Sequence, residues 1–277
     1  MTIKNICNIF KNKKLILLLF ILSLIYSMLF FSLRILQYKS FYSYEWEDDA
    51  RENQIIYNIS QSFKTPYQTI HQTKKLRIFN DRFSPLYYFL AIFYKIHPHI
   101  YTLYFLICFS FGFSTLIIFL LAKKILSNDK QAFLISLIFL LFPPLHYVTL
   151  GALDIKIFML PLLLLNFFFL YEKFFIFYIL TMFFSCMVME DIPLIFTVIG
   201  IYQLIKKYPK KWWLTTILFS FAYFFIAVYL SNNFCRIEGF TVPTDDFSKI
   251  DYIDIFSIKK IFYFIFKNSN TFFSYLI

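Results

Sequence analysis

Long apolar runs separated by short polar segments dominate this chain of 277 residues. The hydrocarbon core of a bilayer is about 30 Å thick, and an α-helix needs roughly 20 mainly apolar residues to cross it. The pattern therefore predicts an all-α polytopic membrane protein built as a single transmembrane domain. The runs that we interpret as spans are residues 15–36, 100–122, 132–150, 157–171, 174–189, 192–205 and 212–230.

The composition agrees with a membrane location and changes the meaning of the charge. Hydrophobic residues make up 60% of the chain and charged residues 16%, whereas a soluble domain carries roughly 25% charged residues. The net charge is +11, but Lys and Arg of membrane proteins collect in cytoplasmic loops and report orientation. The predicted partner is therefore the lipid bilayer, and no nucleic-acid partner is predicted.

Two segments between the first and second spans decide the topology. Residues 37–82 form the longest polar stretch, and residues 83–96 are an apolar run of only about 14 residues, which is short for a span. If 83–96 crossed the membrane, Lys123-Lys124 and Lys206-Lys207 would lie outside the cell, against the positive-inside rule. We therefore interpret 83–96 as an interfacial or re-entrant helix, 37–82 as an external loop and the N-terminus as cytoplasmic.

This topology places almost all acidic residues on the external face, including a pair in the first loop. Asp48 and Asp49 precede Ile55, Ile56 and Ile59, whose spacing predicts an interfacial helix. The dipole of such a helix favours carboxylates at its start. The pair is therefore either a solvated acidic cap or a general base or metal-ligating pair held at the membrane surface.

A second acidic pair, Glu190-Asp191, interrupts a long apolar stretch. As one helix, residues 174–205 would be roughly 48 Å long, far more than the bilayer core. The chain is therefore expected to turn at this pair, with Pro193 in the first turn of the second helix, where its missing N–H costs nothing. The pair is either a solvated turn with Asp191 as N-cap or a functional pair recessed at the interface.

Two further candidates combine charge with the end of an apolar run. Arg82 precedes Ser84-Pro85, which predicts the N-cap and first residue of the short helix, and a guanidinium there can hold a phosphate. Asp154 and Lys156 lie at the start of another run. GxSxG, Walker and HExxH motifs are absent from the sequence, so it carries none of these enzyme signatures.

Five short elements follow one another in a recognisable order along residues 40–230. They are Asp48 with Asn53-Gln54, Arg82-Phe83-Ser84-Pro85, Phe142-Pro143-Pro144, Asp154-Ile155-Lys156 and Met189-Glu190-Asp191. This order resembles a bacterial membrane-protein family, that of domain of unknown function 2079. The family's pattern is an acidic residue with Asp-Gln, then His-Phe-Ser-Pro, Tyr-Pro-Pro, Asp-Phe-His-Pro and Lys-Glu-Asp.

The resemblance implies a helical bundle like that of type C glycosyltransferases, in the inner (cytoplasmic) membrane of a bacterium. It implies sugar transfer from a polyprenyl-phosphate donor to an acceptor on the external face, with or without a divalent metal. Asp48, or next Asp49, would be the catalytic base, and Glu190 and Asp191 would orient the loop, bind acceptor hydroxyls or complete a metal site. The implied substrate-binding residues are Arg82 and Lys156, which would hold the phosphate, together with Asp154 and Gln54.

Departures from the family pattern keep other functions open. Arg82 replaces a histidine, the turn histidine is absent, and Met189 stands where the family has lysine. A non-catalytic or degenerate family member is therefore an alternative. A transporter is disfavoured, because the sequence lacks an internal repeat and its charges lie at span ends. The C-terminal region 259–277, which contains a weak apolar run from residue 261, is expected to be truncated.

Overall fold

Helices make up nearly all of the regular structure. The computed structural model describes residues 13–40, 46–62, 67–70, 74–77 and 83–234. Within these ranges the α-helices are α1 Lys13–Lys39, α2 Trp46–Ser62, α3 Leu86–Ile96, α4 Ile100–Leu126, α5 Asp129–Leu140, α6 Pro143–Leu150, α7 Met159–Glu172, α8 Phe175–Cys186, α9 Ile192–Ile205 and α10 Lys210–Phe234.

Two smaller elements complete the fold. A 3₁₀ turn at Ile155–Phe158 leads directly into α7. Strands β1 Tyr67–Ile70 and β2 Lys74–Arg77 pair in antiparallel fashion as a short hairpin, which lies within the segment predicted as an external loop.

Several helices are long and apolar enough to cross a bilayer. A bent pair, α5 and α6, meets the same criterion when the two are taken together. The protein is therefore an all-α polytopic membrane protein, as the apolar runs predict. Helices α3, α8 and α9 are apolar but shorter, so the crossing of the membrane by α8 and α9 stays a prediction. The long segments are Lys14–Lys39, Ile100–Leu126, Ile155–Glu172 and Lys210–Leu230.

Two adjacent prolines cause the break between α5 and α6. Proline has no N–H and its ring clashes with the preceding turn, so a helix accepts it only in the first turn. Pro143 and Pro144 are the first residues of α6, and α5 ends at Leu140. The two helices meet at an angle of 45°, so the predicted span 132–150 consists of two pieces.

Small residues allow α1 and α4 to approach closely. A Cβ on Gly112 would lie 2.9 Å from the Ser23 carbonyl oxygen and would clash with the Ser27 hydroxyl. Ser27 Oγ also donates a hydrogen bond to the Cys108 carbonyl at 3.1 Å. Small residues and interhelical hydrogen bonds are typical of membrane helix pairs. This packing fixes α1 against α4.

Helix α2 packs on α3 through its apolar face. Ile55, Ile56 and Ile59, whose spacing predicts this helix, are all buried. They belong to the same core cluster as Tyr87 and Leu90 of α3. The apolar face that the sequence predicts for α2 is therefore covered by protein.

The contacts divide the bundle into two ends that hold different sets of charged residues. At one end, Lys124 Nζ lies 3.0 Å from Glu172 Oε1 and joins the last turns of α4 and α7. The rings of Phe175 and Trp212 lie 5.1 Å apart and bring the starts of α8 and α10 together there. We call this the basic end, and its lysines include Lys14, Lys123, Lys124, Lys130, Lys173, Lys206, Lys207, Lys210 and Lys211.

The opposite end holds most of the described carboxylates. Here α1 ends, α4 begins, and α6 and α8 end. We call it the acidic end, and its carboxylates include Asp48, Asp49, Glu52, Asp154, Glu190 and Asp191.

Both ends of α3 lie at the acidic end. Before α3, the Phe83 N–H donates to Glu190 Oε2 at 2.9 Å. After α3, the His99 ring lies 6.2 Å from the ring of Tyr38 in α1. The chain therefore passes through α3 without reaching the basic end. The depth of α3 in the bilayer stays a prediction.

Candidate functional site

A buried arginine organises the acidic end. Arg34, in the last third of α1, is buried. Its Nε donates to the Thr149 carbonyl at 2.8 Å, and its Nη2 donates to the Ala152 carbonyl at 3.5 Å. The guanidinium carbon lies 4.6 Å from the centre of the Tyr104 ring. A charge inside a membrane helix is costly unless it is paired, and these partners make Arg34 the link between α1, α4 and the end of α6.

Asp49 is the counterion of Arg34, and both of its oxygens are engaged. Arg34 Nη1 lies 3.8 Å from Asp49 Oδ1, which also accepts the Leu153 N–H at 2.6 Å. Asp49 Oδ2 accepts the Tyr104 hydroxyl at 2.6 Å. Asp49 therefore has the contacts of a positioning residue, which ties α2 to the turn that carries Asp154.

Asp48, the neighbouring carboxylate, faces outward. Its side chain is 42% exposed, and its Oδ1 lies 2.8 Å from Arg51 Nη2. Exposed ion pairs of this spacing on a helix contribute only about 0.3–0.5 kcal/mol, so a bound hydroxyl can displace the arginine. Of the two carboxylates predicted in this loop, Asp48 is the accessible one and Asp49 is the anchor.

Two phenols of α3 bind polar side chains of α2. The Tyr87 hydroxyl donates to Glu52 Oε2 at 2.6 Å, and the Tyr94 hydroxyl donates to Asn53 Oδ1 at 2.8 Å. Burial raises the pKa of Tyr94 above its ordinary value, so the phenol remains a protonated donor. Gln54, a predicted substrate-binding residue, follows Asn53 on α2 and is half-buried. The hydrogen bonds from Tyr87 and Tyr94 fix the orientation of α2, the helix that carries Asp48.

The second acidic pair divides in the same way as the first. Glu190 is buried, and its Oε2 accepts the Phe83 N–H. Asp191 is exposed and occupies the N-cap position of α9, but its side chain makes no capping hydrogen bond. Glu190 therefore anchors the segment before α3, while Asp191 is accessible.

The carbonyl of Met187 holds the start of α3. The sequence predicts Ser84 as N-cap, but α3 begins at Leu86 after Pro85, without a side-chain cap. Ser84 Oγ instead donates to the Met187 carbonyl at 3.3 Å, and the Leu86 N–H donates to the same oxygen at 3.0 Å. This oxygen is available because α8 ends at Cys186. The prediction for Ser84 is therefore wrong, because a distant acceptor replaces the local cap.

The turn before α7 carries two more predicted site residues. Asp154 Oδ1 accepts the Lys156 N–H at 2.9 Å and caps the 3₁₀ turn. The Lys156 side chain is exposed. Leu153, just before them, donates to Asp49, so this turn is joined to α2. Arg82, the predicted phosphate ligand before α3, lies outside the described residues.

Sequence reasoning misses three residues of this arrangement. Arg34 is the lone charge of α1 between Lys14 and Lys39, and a lone charge within an apolar helix is the signal that could have found it. Glu52 and Tyr104 carry no comparable signal. The chain has 21 tyrosines, so the type of residue alone does not separate Tyr104 from the others.

The buried carboxylates of the site each bind a protein donor. Asp49, Glu52 and Glu190 accept hydrogen bonds at 2.6 to 2.9 Å. Within the described ranges, no group of three or more His, Cys, Asp or Glu side chains is arranged to hold a metal ion. A metal requirement therefore stays a prediction from the resemblance alone.

Comparison with known proteins places the chain in a family. The model of the family described as "Predicted membrane protein (DUF2079)" matches residues 52–263, which is more than half of the chain. The protein belongs to this family. In this DUF2079 protein, Glu52, the Asp154 turn and Glu190 lie inside the matched region, whereas Arg34 and Asp49 precede it. No curated protein and no solved structure matches the chain.

Proposed function

We propose that this DUF2079 protein transfers a sugar from a polyprenyl-phosphate donor to an acceptor hydroxyl at its acidic end. The observation that supports the proposal best is the hydrogen-bond network that joins distant elements there. Asp49, Glu52 and Glu190 each accept a bond from a different element of the chain. Catalysis by positioning depends on side chains that are held in this way.

Asp48 is the proposed general base, because it is accessible and sits next to the anchored Asp49. In the proposed step, the Asp48 carboxylate takes the proton of the acceptor hydroxyl while the hydroxyl oxygen attacks the anomeric carbon of the sugar. The bond between that carbon and the lipid phosphate oxygen breaks on the opposite face, so the configuration inverts. The lipid phosphate leaves as a monoester with one additional negative charge.

The remaining polar groups have supporting roles in this proposal. Lys156 and Arg82 stabilise the charge that develops on the leaving phosphate, as fixed cations do in other transfer reactions. Asp154 and Gln54 bind hydroxyl groups of the sugar or the acceptor. Asp191 is the accessible carboxylate for acceptor hydroxyls at the α8–α9 break. A divalent metal, if one binds, would add to the stabilisation of the phosphate.

The test is transfer of labelled sugar by the full chain in proteoliposomes, with a panel of polyprenyl-phosphate hexoses and pentoses as donors. Asp48→Asn keeps the shape of the side chain but removes the base, so the rate is expected to fall about 100- to 10,000-fold. The matched control is Glu47→Gln, an exposed carboxylate one residue away, which should leave the rate unchanged. Full activity of Asp48→Asn would refute this assignment. Donor binding without any transfer by the unaltered protein would favour a non-catalytic member.

A further inference from the structure

An apolar cavity of about 620 Å³ lies beside the turn that carries Asp154 and Lys156. Its walls come from α4, the end of α5, helix α6, the turn after α6 and the start of α7. Among its described lining residues, the charged side chains are Asp154 and Lys156. Apolar members of the wall include Phe111, Phe139, Phe142, Val148 and Leu160.

The cavity runs from the acidic end toward the middle of the bundle. Tyr104 lies at the level of Arg34, which its ring contacts. Phe111 lies seven residues further along α4, or about 10 Å deeper at 1.5 Å per residue. Phe142 and Val148, on the side of the bend, are exposed on the outside of the bundle. The cavity therefore has a charged rim, an apolar depth and a side where apolar residues are exposed on the outer surface of the bundle.

The lining indicates what kind of molecule fits. Pockets of about 300–1,000 Å³ with apolar walls and a few polar groups are typical ligand sites. An apolar surface gains free energy from contact with hydrocarbon rather than water. At the rim, the Lys156 ammonium suits a phosphate, and the Asp154 carboxylate suits hydroxyl donors. These groups together match a lipid with a phosphate and a hydroxyl-bearing head group.

We propose that this cavity binds the apolar chain of a phosphate-bearing lipid. The phosphate lies next to Lys156, and the hydroxyl groups of the head lie next to Asp154. The inference rests on the proposed function for the identity of the lipid, which in the transfer reaction is the polyprenyl-phosphate donor. Binding of the chain itself does not depend on any transfer step.

The test measures the lipid that the purified full chain retains, by native mass spectrometry. Polyprenyl monophosphate is the probe in one arm, and phosphatidylglycerol is the probe in the other. Val148→Trp places an indole at the cavity wall, so retention is expected to fall about tenfold, the loss expected when roughly two methylene groups no longer fit. Val198→Trp is the matched control, because Val198 is 65% exposed on α9 and away from the cavity. This control should retain lipid like the unaltered protein.

A second pair of variants tests the rim. Lys156→Gln removes the ammonium and is expected to lower retention about tenfold, the loss typical of a hydrogen bond to a charged group. Lys95→Gln is its control, because Lys95 is an exposed lysine of α3 at the same end of the bundle. If Val148→Trp does not fold, Ala152→Leu, also in the lining, takes its place. Thermal unfolding and size-exclusion profiles establish folding for every variant.

The two arms separate this inference from the proposed function. A loss confined to polyprenyl monophosphate supports the cavity and the proposed donor together. An equal loss of retention for both lipids supports the cavity as a lipid-binding site. In that case the cavity no longer supports polyprenyl phosphate as the specific donor lipid. Unchanged retention by the folded cavity variants in both arms overturns the inference, and the Asp48→Asn transfer assay still judges the proposed function separately.

Discussion

Each end of the bundle holds a buried carboxylate paired with a cation, but the two pairs are built differently. At the acidic end, the side chains of Arg34 and Asp49 are only 2% and 7% exposed. At the basic end, Glu172 is 5% exposed, whereas its partner Lys124 is 39% exposed. A lysine can extend its charged head to water while its stem lies along the protein. A guanidinium buried at the level of Arg34 has no such route and depends on its partners.

The buried charges at the acidic end hold helices and side chains in position, whereas the exposed lysines at the basic end determine the orientation of the protein in the membrane. The acidic end joins α1, α2, α4 and the turn before α7 through bonds to Arg34 and Asp49. The described lysines at the basic end lie mostly at helix ends and are typical of a cytoplasmic face. A catalytic site is therefore expected at the acidic end, where side chains are held by several elements.

Labelling from outside the cell tests most directly whether the acidic end is external and the basic end cytoplasmic, because the expected effect is all or none. The positive-inside rule predicts that the basic end is cytoplasmic. In a background without the native cysteines, Asp191→Cys is expected to react with a membrane-impermeant maleimide on intact cells. Lys130→Cys, at the exposed start of α5, should react only after permeabilisation. The opposite pattern would place the candidate site in the cytoplasm and exclude an external acceptor.

Loss of the buried cation is the next largest effect. Arg34→Met leaves the Asp49 carboxylate buried without its counterion, which costs about 3–5 kcal/mol of the free energy of unfolding. Lys124→Met also leaves a buried carboxylate, that of Glu172, without its counterion. Because Lys124 is 39% exposed, water can take the place of its ammonium beside Glu172, so the expected cost is smaller, about 1–2 kcal/mol. SDS titration in mixed micelles measures both. Equal losses would contradict the distinction between the two ends.

A double variant sharpens this result. Arg34→Met with Asp49→Asn removes both charges, so it should be more stable than Arg34→Met alone. Residues in direct contact are expected to deviate from additivity in this way. Additive losses would mean that Arg34 acts through the Thr149 and Ala152 carbonyls rather than through Asp49.

The helices of this protein could largely be predicted, because their signals are local. Apolar runs and prolines place α9 at Ile192–Ile205, the same residues as the predicted run. Helix α8 is less predictable, since it ends at Cys186 rather than at residue 189. The partners of the end of α8 are not local either: the Met187 carbonyl, left outside the helix, accepts bonds from Ser84 and Leu86, about one hundred residues earlier in the chain.

The candidate site could be predicted only as pairs of acidic residues. Asp48 and Asp49 are neighbours of the same type, as are Glu190 and Asp191, and the sequence does not tell which member of each pair is buried. The donors that decide it, the Leu153 and Phe83 N–H groups, lie about one hundred residues away from their acceptors. Every residue except proline has a backbone N–H, so the sequence does not identify which N–H groups bind these carboxylates. This part of the site can be recognised only from the fold.

The Glu190-Asp191 pair includes the smallest of the expected changes in stability, that of Asp191→Ala. Glu190→Ala removes an acceptor of the buried Phe83 N–H and is expected to cost about 1–3 kcal/mol in SDS titration. Asp191→Ala changes an exposed residue without a capping bond, so its effect should stay within about 0.5 kcal/mol. Asp191→Ala is nevertheless expected to abolish sugar transfer if the accessible member of the pair contacts the substrate. Glu190→Ala should then lower transfer only in proportion to the fraction of protein that no longer folds, because the buried member supports the site without touching the substrate. A reversed outcome would mean that Glu190 leaves Phe83 to bind the substrate, and the anchor described at the acidic end would then be a resting state of the loop.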